Sequence, residues 1–250
     1  MEFDYPPSER QDLVETLHGQ TVADPYRWLE ELESPATEAW IAAQNELTER
    51  YLDAHTPRTE VQERVERLWN YEKFGVPLQR GERLFYTYND GLQDQAVLLW
   101  QEDRQGQSQV LVDPNTLSDD GTVALVNFVP SKDGRLVAYG LATAGSDWQT
   151  WRVRRVDDGS ELDDQVDWVK FSAVSWTADH KGFYYSRYDA PGADETYKAA
   201  NYYHKLYYHR LGTAQSAAPG GDERGEQAGG GFVGDGTEDG PDLIKHGGMG

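Results

Sequence analysis

The 250-residue chain contains no cysteine and only two methionines. Without thiols it can form no disulfide, no thiolate nucleophile and no Cys-ligated zinc or iron–sulfur site, although this leaves its redox compartment open. Lysine is scarce as well, seven residues against sixteen arginines, and carboxylates outnumber both, giving a formal charge of −21. Such a field repels nucleic acid and anionic lipid, so neither a nucleic-acid nor a membrane partner is expected. The densest basic cluster, Arg152, Arg154 and Arg155, reads as a solvated outer strand, because strand alternation divides the three between two faces. No run approaches the roughly 18 to 20 apolar residues of a membrane span. The N-terminus MEFDYPPSER is acidic where a secretory leader needs positive charge, so a cytoplasmic location is expected. The carboxylates are spread evenly, a pattern that predicts adaptation to high salt.

What the chain does contain falls into three parts: 1–75, 76–216 and 217–250. In the first, Ser34-Pro35 can start a helix, the serine as cap and the proline in the first turn. Ala36, Trp40, Ala43, Leu47 and Tyr51 then form one apolar stripe ending near Asp53. A second start at Thr56-Pro57 leads to Val61, Val65, Leu68 and Trp69, and the two helices are expected to bury these stripes as core. From Gly75 the periodicity becomes that of strands. Residues 83–89 and 96–103 predict one hairpin, 135–142 and 150–158 a second, and 182–189 and 205–212 a third. Related turns precede their first strands: 80–82, 131–134 and 177–182. A repeat of this length is that of propeller blades, whose small sheets must stack to bury their faces. The expected fold class is mainly β with an α-helical N-terminal segment, the β part being a partial β-propeller.

Six strings occurring in order carry a family resemblance: DPYRWLEE (24–31), QNELT (44–48), LSDDGTVAL (117–125), GSDW (145–148), VKFS (169–172) and KLYYHRLGT (205–213). Over residues 5–216 the chain resembles the prolyl oligopeptidase family of serine peptidases, which cut short peptides after proline. The resemblance implies a seven-bladed propeller capping an α/β-hydrolase domain, with the N-terminal segment packing on the hydrolase part. Of this, the sequence contains the N-terminal piece and about three blades, and no hydrolase C-terminal segment. It also implies short proline-containing peptides as substrates of the whole enzyme, with the propeller gating their access. Phe171 matches an aromatic residue that in the family lines the substrate cavity from the propeller side; packing inside a blade is its other reading.

The catalytic chemistry of such a hydrolase is missing. A serine hydroxyl is a poor nucleophile without an aligned base, and the family fold places it in a G-x-S-x-G elbow, which does not occur in this chain. Ser146 is the nearest lookalike and reads as a turn residue. His204 and His209 lie at odd separation on a predicted strand and cannot share a ligand; His180 falls in a turn. His18 and His55 lie near helix boundaries and His246 in the tail, so all six histidines read as surface or packing residues. The pairs Asp119-Asp120 and Asp163-Asp164 read as solvated turns. No catalytic residue, metal site or cofactor is expected, and the chain by itself is expected to be inactive.

The last 34 residues contain twelve of the 25 glycines and only five large apolar residues, too few to offset the entropy of ordering, which predicts a disordered tail. A reading frame lost near Ser216 in a GC-rich gene would produce such a segment. An incomplete propeller presents an open blade edge, so aggregation or oligomerisation through that edge is expected. A non-catalytic module binding peptides or a partner is the alternative function, and completion by a separately encoded hydrolase piece is a third.

Overall fold

The structure, a computed structural model, describes residues 4–54, 58–192 and 202–217 together with the backbone of 220–221, 230–236 and 243–249. The chain divides into two compact units, Met1–Trp69 and Asn70–Gly250.

The first unit opens with a hairpin of β1 (Val14–Leu17) and β2 (Gln20–Ala23). Its two-residue turn, His18-Gly19, has φ of 52° and 80°, the doubly positive pattern that matches strand twist. His18 therefore sits in a hairpin turn instead of near a helix boundary. Arg27 bonds the carboxylates of Asp24 and Glu15, pinning the following 3₁₀ turn to this hairpin. The two helices form where capping predicts them: α1 is Pro35–Ala54 and α2 is Arg58–Trp69. Thr37 N–H donates to Ser34 Oγ at 3.2 Å, which satisfies one of the otherwise unpaired first-turn amides. The N-terminal segment before β1 is fastened to this region by Trp28 Nε1 donating to the Glu9 carbonyl and by Trp40 Nε1 donating to Ser8 Oγ.

The expectation that both helical stripes form core needs correction. On α1, Trp40, Ala43 and Leu47 are partly buried, while Ala36 and Tyr51 are exposed. On α2 no residue is buried, and Val61, Val65, Leu68 and Trp69 are each more than half exposed. Helical periodicity identifies a face that could be buried; it does not supply the surface that buries it.

The second unit is built from successive antiparallel meanders. β3 (Lys73–Phe74) and β4 (Leu78–Arg80) both pair with β5 (Arg83–Asn89), followed by β6 (Val97–Gln101) and β7 (Gln109–Val112). Gly75 N–H still donates to the Thr87 carbonyl at 2.8 Å, so β3 and β4 act as one strand interrupted near Pro77, which has no amide hydrogen to donate. The second sheet has the order β8 (Val123–Pro130), β9 (Leu136–Thr143), β10 (Gln149–Arg155), β11 (Glu161–Val169). The third runs β12 (Ser175–Trp176), β13 (Gly182–Arg187), β14 (Lys205–Arg210), β15 (Gly220–Gly221). All three hairpins expected from the sequence are present as β5/β6, β9/β10 and β13/β14.

Alternation along β9 explains why the sheets stack. Val137 and Tyr139 point into a core shared with Phe85, Leu98, Trp100, Leu111 and Val112 of the first sheet. Ala138 points the other way, into a core with Trp151, Val153, Val166, Trp176, Phe183 and Tyr185 that joins the second and third sheets. A strand apolar on both faces belongs to a sheet covered on both sides, as in adjacent propeller blades. Gly140 allows the closest packing here, since a Cβ at that position would stand 2.8 Å from the Trp151 ring. The related turns also stack: a Cβ on Gly134 would meet the Arg80 carbonyl at 2.7 Å, and His180 Nδ1 lies 3.2 Å from Asp133 Oδ2.

Two polar expectations change. Asp163 and Asp164 lie within β11 instead of in a turn, and Asp164 is buried, because β11 begins at Glu161. The basic cluster is on β10, an interior strand paired on both sides; Arg152 and Arg154 engage Glu161 there and form no free cationic patch.

Where the sequence predicts a disordered tail, the described backbone pairs β16 (Gly230–Gly236) with β17 (Leu243–Met249). Residues 218–219, 222–229, 237–242 and 250 lie outside the described residues, as does His55.

Candidate functional site

Meander topology brings three connections to one end of the second and third sheets: 144–148 between β9 and β10, 170–174 between β11 and β12, and the connection between β13 and β14. Each carries aromatic residues. Trp148 packs edge-on against Trp168, with ring centroids 5.7 Å apart, and against Tyr188 at 6.2 Å. Tyr188 stacks on His204 at 4.6 Å. The Tyr188 N–H donates to the Trp168 carbonyl at 3.1 Å, tying the third sheet to the second beneath the cluster.

Lys170 sits on top of it, with Phe171 next in sequence. The Lys170 ammonium lies 4.2 Å from the centre of the Trp148 ring, where the negative face of the indole attracts it. Phe171 is 60% exposed, which excludes the reading of this residue as a blade-core aromatic. Its φ of 52° is uncommon for a bulky side chain. Ser172 holds the connection: its Oγ accepts from the Ser186 N–H and donates to the Ala173 carbonyl.

Burial sets the charge state of the cluster's base. Desolvation holds His204 below its ordinary pKa, partly offset by hydrogen bonding to the backbone of Ser186 and Lys170. Burial likewise pushes the Tyr188 phenol up, so both rings are neutral at neutral pH. The end is thus an aromatic surface bearing a cation held on a ring face.

The candidate nucleophiles are committed elsewhere. Ser146 Oγ accepts the Trp148 N–H at 3.1 Å, the bond of a turn residue. His209 is fully buried and bonds Asp164 at 2.8 Å, with Asp164 also accepting the Gly212 N–H at 2.7 Å. This His–Asp pair bridges the second and third sheets and acts as a cross-link. Among the described residues no three His, Cys, Asp or Glu side chains are grouped to hold a metal, and no helix is long and apolar enough to cross a membrane. Such an arrangement can bind; it offers no activated nucleophile.

Phe171 was the one candidate legible in sequence. Trp168 and Tyr188 were not singled out, and His204 was read as a strand residue, whereas it precedes β14, which begins at Lys205. Their available signal was the recurrence of aromatic residues at the ends of successive predicted strands.

Comparison with known proteins brings up peptidases. The family profile described as prolyl oligopeptidase, N-terminal beta-propeller domain, matches residues 6–219. A prolyl endopeptidase of Elizabethkingia miricola is 38% identical over 212 residues, covering 85% of this chain and 30% of that enzyme. Prolyl oligopeptidase A of Amanita bisporigera is 36% identical over 243 residues, covering 85% of this chain and 32% of that one. Among solved structures, a prolyl endopeptidase superposes with a TM-score of 0.86 at 33% identity, covering 99% of this chain and 36% of its own. Prolyl oligopeptidase B of Galerina marginata, bound to a 35mer hydrolysis and macrocyclization substrate, gives 0.79 at 30% identity, covering 98% of this chain and 37% of that one. The chain therefore spans about a third of the length of the relatives it matches. With that profile matching residues 6–219 of 250, the chain belongs to the family that carries the prolyl oligopeptidase N-terminal β-propeller domain.

Proposed function

We propose that this chain supplies the propeller part of a prolyl-type serine endopeptidase: it admits short proline-containing peptides and presents Phe171 to them, while the hydrolytic residues are not among its own. The observation that carries the reading is the exposed Phe171, held at a positive φ next to the aromatic cluster of Trp148, Trp168 and Tyr188. A substrate-facing ring should be exposed, and Phe171 lies beside Lys170, whose ammonium rests on the Trp148 ring of the aromatic cluster. Relatives named as prolyl endopeptidases, and a relative bound to a peptide substrate, favour the same substrate class. The exposed stripe of α2 fits the family arrangement in which the N-terminal segment packs against the hydrolase part. A cytoplasmic location belongs to the same proposal.

The test uses the intact chain with a chromogenic substrate carrying proline before the scissile bond, alongside an active-site serine probe. No turnover and no labelling are expected, in high or low salt. Turnover that survives purification and labels the chain would overturn the reading. The role of Phe171 is tested separately, by adding Phe171→Ala to a full-length relative with a hydrolase domain: KM should rise with kcat nearly unchanged.

A further inference from the structure

The outer face of the third sheet, turned away from the second, is covered. Phe183 and Tyr185 of β13 and Tyr207 of β14 face the core shared with the second sheet. The residues that alternate with them point the other way, and two of these, Ser186 and Leu206, are cross-strand partners with only 0% and 3% exposure. Leu206 belongs to neither of the two hydrophobic cores, so its burial has another source.

The tail backbone lies on this face. β16 brings its Cα atoms within 8 Å of those of β12, β13 and β14, most extensively with β13. Strands in a sheet lie about 4.8 Å apart, so a strand added beside an edge could not come that close to three successive strands, and β16 must run across the face. Sheets ordinarily stack about 10 Å apart, and glycine at four of the seven positions of β16 permits the closer approach. β17 pairs with β16 in unbroken register from Gly230↔Met249 to Gly236↔Leu243. The family profile stops at residue 219, yet the superposition on the solved prolyl endopeptidase spans 99% of this chain. The tail holds the place of a further sheet without the family sequence of one.

We infer that the β16/β17 pair is a built-in cap: it occupies the outer face of the third sheet and blocks the stacking of another sheet there, that of a second copy of this chain included. The first sheet shows such a face without a cap. Leu84 and Tyr86 alternate with the buried Phe85 and line, with Phe74 and Pro77, a hollow of about 280 Å³ on the side away from the second sheet. An open third-sheet face on one copy against the first-sheet face of the next would be a head-to-tail contact, the kind that propagates. Capping one of the two faces is enough to stop it.

The test is hydrogen exchange on the intact chain, with sedimentation velocity alongside. Amides of β16 and β17 should exchange at least about tenfold more slowly than in an unstructured peptide. Exchange at the unstructured rate would overturn the inference. Antiparallel ladders bond through alternate residues, so the double substitution Val233→Pro/Gly234→Pro removes a ladder amide whichever of the two carries it. It should raise exchange in β13 and β14 at least about tenfold and shift the chain toward larger, concentration-dependent species. Unchanged exchange in those strands would mean that the pair is no cover, and unchanged sedimentation that it blocks no stacking; either result overturns the inference. The intact-chain measurement decides by itself if the variant fails to fold.

Discussion

The two units of this chain start from equally apolar sequence and end in opposite states. In the sheet unit every strand that reads as alternating finds a neighbour, and all the buried large hydrophobic residues among those described are there, from Phe85 to Leu206. In the described part of the N-terminal unit the only buried residue is Thr37. Blades cover one another, so each sheet added to the stack completes the core of the sheet before it. Helices α1 and α2 depend on a partner surface for the same closure. The difference shows that self-sufficiency here comes from repetition, not from hydrophobic content.

The comparison is tested most easily by truncating one buried and one exposed apolar side chain. Trp151→Ala, at a fully buried position between the second and third sheets, should cost about 3–5 kcal/mol. Val65→Ala on the exposed stripe of α2 should change stability by no more than about 0.5 kcal/mol. Urea unfolding of both variants gives the contrast directly, and similar costs would erase it. Next in size is Gly140→Ala: the added methyl must displace the Trp151 ring, at about 1–3 kcal/mol, seen as a lower urea midpoint. Ser34→Ala removes the α1 cap and should cost about 1 kcal/mol of helix stability, read by far-ultraviolet dichroism on heating.

The smallest effect is a pH dependence. Bonds from Thr177 and from the Lys181 amide hold Asp179 down at about 2, below its ordinary 3.8. A carboxylate with a depressed folded pKa adds stability above its unfolded value and loses it as pH falls through the folded one. The contribution should therefore be present above about pH 4 and fade toward pH 2. Asp179→Asn should flatten the acid limb of a pH–stability curve in that window; an unchanged limb would remove Asp179 from the account.

Much of this fold was legible because its signals are local. The turns at 80–82, 131–134 and 177–182 announced the repeat, and Ser34-Pro35 located the start of α1. The hidden parts are those that depend on register or on distant partners. In Val166-Asp167-Trp168-Val169 nothing signals the register shift between Gln149↔Val169 and Trp151↔Val166, so the side taken by Trp168 could not be read. Asp164 and His209 are separated by 45 positions, and nothing near either residue reveals that they form a buried pair. For α2 the stripe was correctly located and wrongly filled, because a periodicity cannot say whether its partner lies in the same chain. Phe171 was found only through resemblance; its exposure came from the structure.

Hydrogen exchange across the intact chain tests the central contrast most directly. Amides of β9, β10 and β13 should exchange only through cooperative opening of the stacked sheets, far more slowly than those of α2, which should open locally. Equal protection in α2 and the central strands would contradict the account, since it would mean that the N-terminal unit is held as firmly as the sheets.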